Sequence, residues 1–326
     1  MLYIESETFD PAFNLALEQY LFDRFEDDIF MLWRNSDAVI LGLHQNAAEE
    51  VNGAYLKQAG IPVVRRLSGG GAVFHDLGNL NFSIIKNLTD EGVPDFAVSV
   101  QPIMDALRSL GISAVTGGRN DVTVDGKKIS GNARYLRGGR LQHHGTIMFD
   151  VDFSRMSKAL CPPEDKFTSK GIRSVRARVT NLREYLPGMT MPEFVTYIRE
   201  HVVKDQDATV YRLTAEDRVA VEDIRDNRYD TWAWNRGQSP RYNVEKRRHI
   251  GGVGAFTVRM RIADGAIEDF SVSGDYFGNR PASELALILK GVKLDGRALE
   301  EKLSCVAFEE YFERLDVHEF ISILID

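Results

Sequence analysis

Residues Arg65 to Asn81 read RRLSGGGAVFHDLGNLN and follow a short apolar run that ends at Val63 and Val64. Three consecutive glycines add nothing to a core and lose the most conformational entropy on folding, so the backbone itself is what such a stretch must supply. Glycines let backbone N–H groups approach phosphate or carboxylate oxygens closely, and Arg65 and Arg66 carry charge suited to the same anion. The two common phosphate motifs do not fit. A P-loop needs Lys-Ser/Thr after its last glycine, and the dinucleotide fingerprint needs Gly or Ala where Phe74 stands. Two readings stand at this point: an anion-binding loop, and a glycine-rich hairpin turn with incidental arginines.

A second cluster, Gly117 to Asn132 (GGRNDVTVDGKKISGN), reads as loop, strand, an Asp125-Gly126 turn and a strand beginning at Lys127. A lysine just after a tight turn can project a point charge into a neighbouring cleft, and Lys128 is the catalytic candidate. Lys127 falls on the opposite face, because side chains alternate along a strand. The plain alternative for Lys128 is a solvated surface charge. Asp121 also has two readings: a Mg²⁺ contact, since Mg²⁺ takes one or two carboxylates plus phosphate oxygens, or a loop carboxylate paired with Arg119 or with backbone N–H groups. His75, His143 and His144 invite a zinc reading, but HHGT lacks the spacing for two ligands on one helix face and no cysteine accompanies it.

Around these clusters the periodicity predicts a mixed α+β chain. Asp10 and Pro11 open a helix whose Phe13, Ala16, Leu17, Tyr20 and Leu21 share a face. Strands are expected at Ala38–Leu43, Ile61–Val64, Asn81–Ile85, Ile112–Val115, Asp121–Val124 and Thr146–Val151. Val100 to Leu110 has helical spacing and stops at Gly111, and Thr190 with Glu193 makes a capping box for a further helix. Gln238 to His249 is polar, contains Pro240 and is expected to be a linker. It divides residues 1–242 from a smaller unit, residues 248–326, with a hairpin around Asp264-Gly265 and a helix from Pro281 to Lys290.

The chain has 326 residues, 44% hydrophobic and 27% charged, which suits two packed domains and excludes disordered or collagenous classes. A net charge of −8 argues against general nucleic-acid binding. With only Cys161 and Cys305 there is no disulfide framework, and no stretch approaches a membrane span or a secretory leader, so a cytoplasmic protein with no membrane partner is expected.

Four stretches, SGGGAVFHDLGN, GRNDVTVDGKKISGNARY, HHGT and GIRSVRARVTNL, in this order and spacing, resemble the lipoate-protein ligase A family. WAWNRGQSP, leading into a small C-terminal domain, resembles its long bacterial form. The resemblance implies a catalytic domain of the biotin/lipoate-protein ligase class, a mixed, mostly antiparallel sheet flanked by helices, with an α+β accessory domain. It implies ATP and Mg²⁺ as cofactors and lipoate as substrate. The implied partners are lipoyl domains of 2-oxoacid dehydrogenase complexes and the glycine-cleavage H protein, acted on by a monomer. On the same ground Arg66, Gly71, Ala72, Val73, Phe74 and Lys128 are expected to contact ATP. Lys128, Ser68, Gly69, Gly70, His75 and His144 are expected to contact lipoate. Related octanoyl or lipoyl transferases use a cysteine thioester in place of ATP, and on that alternative Cys161 would be the nucleophile. A non-catalytic lipoyl-domain-binding protein is the third reading. The polar linker also leads to the expectation that the accessory domain moves between two half-reactions.

Overall fold

A computed structural model describes residues 1–45, 47–89, 92–118, 120–160, 178–204, 206–236, 244–263 and 265–325. Fourteen strands are described: β1 (Leu2–Glu5), β2 (Ile29–Trp33), β3 (Ala38–Leu41), β4 (Val63–Arg65), β5 (Val73–His75), β6 (Asn79–Asn87), β7 (Val115–Gly117), β8 (Asp121–Val124), β9 (Lys127–Arg137), β10 (Arg140–Met148), β11 (Thr209–Val210), β12 (Val244–Ile250), β13 (Gly254–Ala263) and β14 (Ala266–Gly274). They form an eight-stranded sheet, β11-β1-β2-β6-β10-β9-β8-β7, and two three-stranded sheets, β4-β3-β5 and β12-β13-β14. Among the described strands, the parallel pairs are β1 with β11, β1 with β2, and β3 with β4.

The helix Pro11–Arg24 starts as its sequence signals: the Asp10 side chain accepts from the Ala12 N–H at 2.9 Å, and Pro11 occupies the first turn. It is buried on nearly every side, including Asn14, Glu18 and Gln19, because it lies between the large sheet and the segment Ala215–Tyr229. On the other side of the large sheet the helices Phe96–Ser109 and Met191–Val203 pack together over Phe82, Ile147 and Phe149. Thr190 and Glu193 form the expected capping box. The Asp125-Gly126 turn is also present, with both residues at positive φ (51° and 74°) and Val124 paired with Lys127 across it.

Three expectations shift. Ile112 and Ala114 are buried, but the strand begins only at Val115, because Ile112–Ala114 is anchored to the end of the preceding helix. The run expected at Thr146–Val151 belongs to β10, which starts at Arg140 and ends at Met148, where the backbone turns to bond with Gly78. The second half of the expected linker is β12, paired residue for residue with β13 from Val244↔Met260 to Ile250↔Gly254. Its polar sequence reflects an edge strand whose outer row of side chains faces water. Beyond it, β13 and β14 pair across Gly265 (φ +75°), and helices Ser283–Leu289, Gly296–Leu303 and Val317–Ile325 cover this sheet with a separate core.

Candidate active site

A cavity of 530 Å³ lies where the glycine stretch faces β9 and β10. One wall is Gly70, Gly71, Ala72 and Val73 with the Arg66 side chain; the opposite wall carries Asn120, Asp121 and Lys128. Leu15, Trp33 and Ile40, neighbours in one apolar cluster, supply a hydrophobic part. Asp275 and Phe277 of the C-terminal unit close the rim.

Lys128 owes its position to its backbone. Its N–H donates to the Arg178 carbonyl at 2.7 Å, and its own carbonyl accepts from Thr180 at 3.0 Å. Held this way, the side chain reaches the cavity and its Nζ lies 2.6 Å from Asp121 Oδ1, each side chain about a third exposed at 34%. The site therefore presents a cation beside a carboxylate on a solvent-accessible wall. Arg119, the alternative partner for Asp121, lies outside the described residues.

Arg66 is buried, and desolvation pushes its guanidinium down to about 10. Its Nη2 donates to the carbonyls of Gly69 (2.6 Å) and Gly71 (2.9 Å), Nη1 to Ile40 (3.3 Å) and Nε to Ser68 Oγ (3.0 Å). The guanidinium thus bends the glycine stretch around itself. Gly70 takes φ +89° there, a conformation that favours glycine. Gly69 lacks a Cβ for a different reason: one built there would stand 2.4 Å from the Tyr276 carbonyl oxygen. Arg65, expected at the same anion, turns away instead. It donates to the carbonyls of Gly42, Leu43, Gln45, Trp234 and Asn235, and so anchors the 234–235 segment to β4.

His75 and Trp33 each place a buried nitrogen, Nε2 and Nε1, without a hydrogen-bond partner among the described residues. Both residues line the cavity. Asn35 Nδ2 lies 2.9 Å from His75 Nδ1 and is a donor, which leaves the ring hydrogen on Nε2. Burial, with Arg66 and His144 nearby, holds His75 down at about 3, so the ring is neutral. Two buried donors without a partner among the described residues thus stand within the wall of the cavity.

The C-terminal unit is docked on the glycine stretch. Gly70 N–H donates to the Tyr276 carbonyl (3.2 Å), Gly274 N–H to the His44 carbonyl (2.8 Å) and Leu136 N–H to Asn279 Oδ1 (3.1 Å). The His44 and Tyr276 rings stack with centroids 4.4 Å apart. Among the described residues, no group of three His, Cys, Asp or Glu could hold a metal ion, and no helix is long and apolar enough to cross a membrane.

Residues 10–203 match the lipoyl protein ligase A/B catalytic domain family, and residues 239–324 match the bacterial lipoate protein ligase C-terminus. The chain belongs to the lipoate-protein ligase family. It is 38% identical to lipoate-protein ligase LplJ of Bacillus subtilis over 331 residues, spanning 99% of this chain and all of that one. Among solved structures, lipoate-protein ligase A bound with ATP is 27% identical, with a TM-score of 0.63 over 72% of this chain and 98% of that one. The lipoate complex of P. falciparum LipL1 shares the fold, with a TM-score of 0.82, 24% identity and 99% coverage of both chains.

Of the residues singled out from the sequence, Arg66, Gly70, Gly71, Ala72, Val73, His75, Asp121, Lys128 and His144 meet in this cavity. Ser68 and Gly69 stand behind its wall, the first under Arg66 and the second against Tyr276. Phe74, expected to contact nucleotide, buries its ring with Val39 and Leu41, since it alternates with Val73 across β5. Cys161 and the first part of GIRSVRARVTNL lie outside the described residues. The sequence reading missed Glu18, Trp33, Asn132, Asp275 and Phe277. For Glu18 a signal existed: Asn14 and Glu18 are polar and one turn apart on a helix that is otherwise apolar on several faces.

Proposed function

We propose that this chain adenylates lipoate with ATP and then passes the lipoyl group to a lysine of an acceptor protein. The observation that carries the reading is the meeting of a glycine-rich backbone, the Lys128 ammonium and an apolar recess in one cavity. A triphosphate along Gly71–Val73 would meet the backbone of the glycine stretch and the field of the Arg66 charge behind it. The lipoyl chain would lie against Leu15, Trp33 and Ile40, with its carboxylate near Lys128.

In the first step a carboxylate oxygen attacks the α-phosphorus. The new P–O bond forms as the bond to the bridging oxygen of the β-phosphate breaks, and pyrophosphate leaves. Lys128 offsets the repulsion between the two anions and stabilises the charge that builds up between them. In the second step the neutral amine of the acceptor lysine attacks the lipoyl carbonyl carbon, the amide forms, and AMP leaves with the bonding pair while the amine loses a proton. No enzyme nucleophile is required. Asp121 offers one carboxylate beside the phosphate path, which suits a Mg²⁺ ion otherwise held by phosphate oxygens and water. Bound there, the ion would neutralise phosphate charge.

In this reading residues 1–242 carry the chemistry and residues 248–326 form the accessory domain. The acceptors are lipoyl domains of 2-oxoacid dehydrogenase complexes and the glycine-cleavage H protein, and the enzyme works as a cytoplasmic monomer. Pyrophosphate release is measured with lipoate and ATP, with and without an apo lipoyl domain. Release that depends on lipoate, and acceptor lipoylation that depends on ATP, are expected. Acyl transfer from acyl carrier protein without ATP, abolished by Cys161→Ala, would overturn the reading.

A further inference from the structure

Four buried side chains, of which Arg66 and His144 line the cavity and Glu18 and Ser68 lie behind it, form one hydrogen-bonded chain from the first helix to the glycine stretch. Glu18 Oε1 lies 2.9 Å from His144 Nδ1, His144 Nε2 lies 2.6 Å from Ser68 Oγ, and Ser68 Oγ accepts from Arg66 Nε at 3.0 Å. Each of the four is less than a tenth exposed. The directions follow from the donor inventory. The Glu18 carboxylate can only accept, which puts a ring hydrogen on His144 Nδ1 and makes Nε2 of the neutral ring the acceptor of the Ser68 hydroxyl hydrogen, while the Ser68 oxygen accepts from Arg66. The Gln142 side-chain amide lies against the same edge of the ring, and with Nδ1 a donor it is the amide oxygen, not the NH2 group, that can face it.

Burial drives the Arg66 guanidinium down, and the carboxylate that opposes this is Glu18, while Arg65 adds to it. The far end of the chain therefore supplies a counter-charge to a cation that holds the glycine backbone by the Gly69 and Gly71 carbonyls.

We propose that Glu18 is a positioning residue for adenylation: through His144 and Ser68 it fixes the orientation of Arg66, and with it the Gly69–Gly71 backbone at the phosphate-facing wall. The inference rests on the ligase reading above. A neutral amide at position 18 can donate to Nδ1 as well as accept from it, so it admits the other tautomer. That tautomer carries a hydrogen on Nε2, where it opposes the Ser68 hydroxyl and loosens Arg66.

The test uses the full chain with Glu18→Gln, Ser68→Ala and the double variant. Each is assayed for lipoate-dependent ATP–pyrophosphate exchange, and separately for transfer from preformed lipoyl-AMP to an apo lipoyl domain. Losing one charge-assisted link is expected to lower kcat/KM for ATP in the exchange about 30-fold in either single variant. The loss in transfer is expected to be smaller by about tenfold, because transfer needs no triphosphate. Since both substitutions cut the same chain, the double variant should lose no more than the worse single one. Ser68→Ala removes one oxygen and carries the prediction alone if Glu18→Gln fails to fold. Equal losses in both half-reactions, or multiplying losses in the double variant, would overturn the relay. Absence of lipoate-dependent exchange in the unsubstituted protein would instead overturn the ligase reading and the relay with it.

Discussion

Lys128→Met separates the charge of Lys128 from its packing. Methionine keeps an unbranched apolar stem of similar length and removes only the ammonium. The stability effect follows from the geometry: the pair with Asp121 is short at 2.6 Å, but both side chains are 34% exposed. A pair so open to water contributes at most about 1 kcal/mol, and Asp121, once unpaired, stays solvated. The urea midpoint should therefore move little. The adenylation rate is a different matter, because in the proposed reaction the carboxylate and the α-phosphate approach each other at Lys128, while Arg66, another cation of the described wall, is already committed to the carbonyls of Ile40, Gly69 and Gly71. Removing one preorganised stabiliser of transition-state charge lowers kcat by about 10²–10³, or about 2.7–4 kcal/mol. The assay is lipoate-dependent ATP–pyrophosphate exchange at saturating ATP and lipoate, with equilibrium unfolding measured on the same preparations. Exchange within about threefold of the unsubstituted protein would remove Lys128 from the reaction. An unfolding free energy lowered by more than about 2 kcal/mol would mean the pair is structural and would refute the exposure argument.

Three further outcomes follow from the packing. Gly145→Ala would place a Cβ 2.3 Å from Asn132 Oδ1 and 2.6 Å from Phe82 Cζ. Both are buried, so a loss of about 1–3 kcal/mol in unfolding free energy is expected, and an unchanged denaturation midpoint would contradict it. Gly69→Ala would drive a Cβ to 2.4 Å from the Tyr276 carbonyl oxygen, a backbone atom that cannot rotate away. The accessory domain should withdraw, seen as a larger radius of gyration in small-angle scattering; an unaltered profile would show the contact to be adaptable. His44, His75 and His143 are held by burial at about 4, 3 and 3, below the unfolded value of 6.5. As pH falls below 6.5 the unfolded chain takes up protons that the folded one refuses. Stability present at neutral pH is thus lost between about 6.5 and 4, by up to ~1.4 kcal/mol per pH unit for each histidine. A urea midpoint that is flat or rises from pH 7 to pH 5 would refute this.

Much of the site was legible because its chemistry is local in sequence. A run of glycines after arginines, and a lysine two residues beyond an Asp-Gly turn, each announce a backbone conformation that the chain takes up on its own, and Asp125 and Gly126 do adopt it. What each residue does once there was less legible. Arg65 and Arg66 are adjacent and chemically identical, yet one is spent on carbonyls of the 42–45 and 234–235 segments and the other on the glycine stretch. Strand alternation sends neighbours to opposite faces, and what lies on each face is set by distant residues. The same alternation buries Phe74 while Val73 lines the cavity. Val244–Ile250 reads as a linker because half of an edge strand's surroundings is water, and no local pattern marks the partner strand that orders it.

The sequence by itself thus determined the α+β character, the two-unit organisation, the glycine stretch and the turn that presents Lys128, since all of these follow from backbone propensity and short-range pattern. Only the tertiary structure decided that Glu18 stands behind His144 and Ser68, that Trp33 and His75 place donors without a partner among the described residues in the wall of one cavity, and that Asp275 and Phe277 join its lining. These residues lie tens to hundreds of positions apart. Their roles arise from burial and hydrogen-bond direction, which exist only once the helix, the sheets and the accessory domain are packed together.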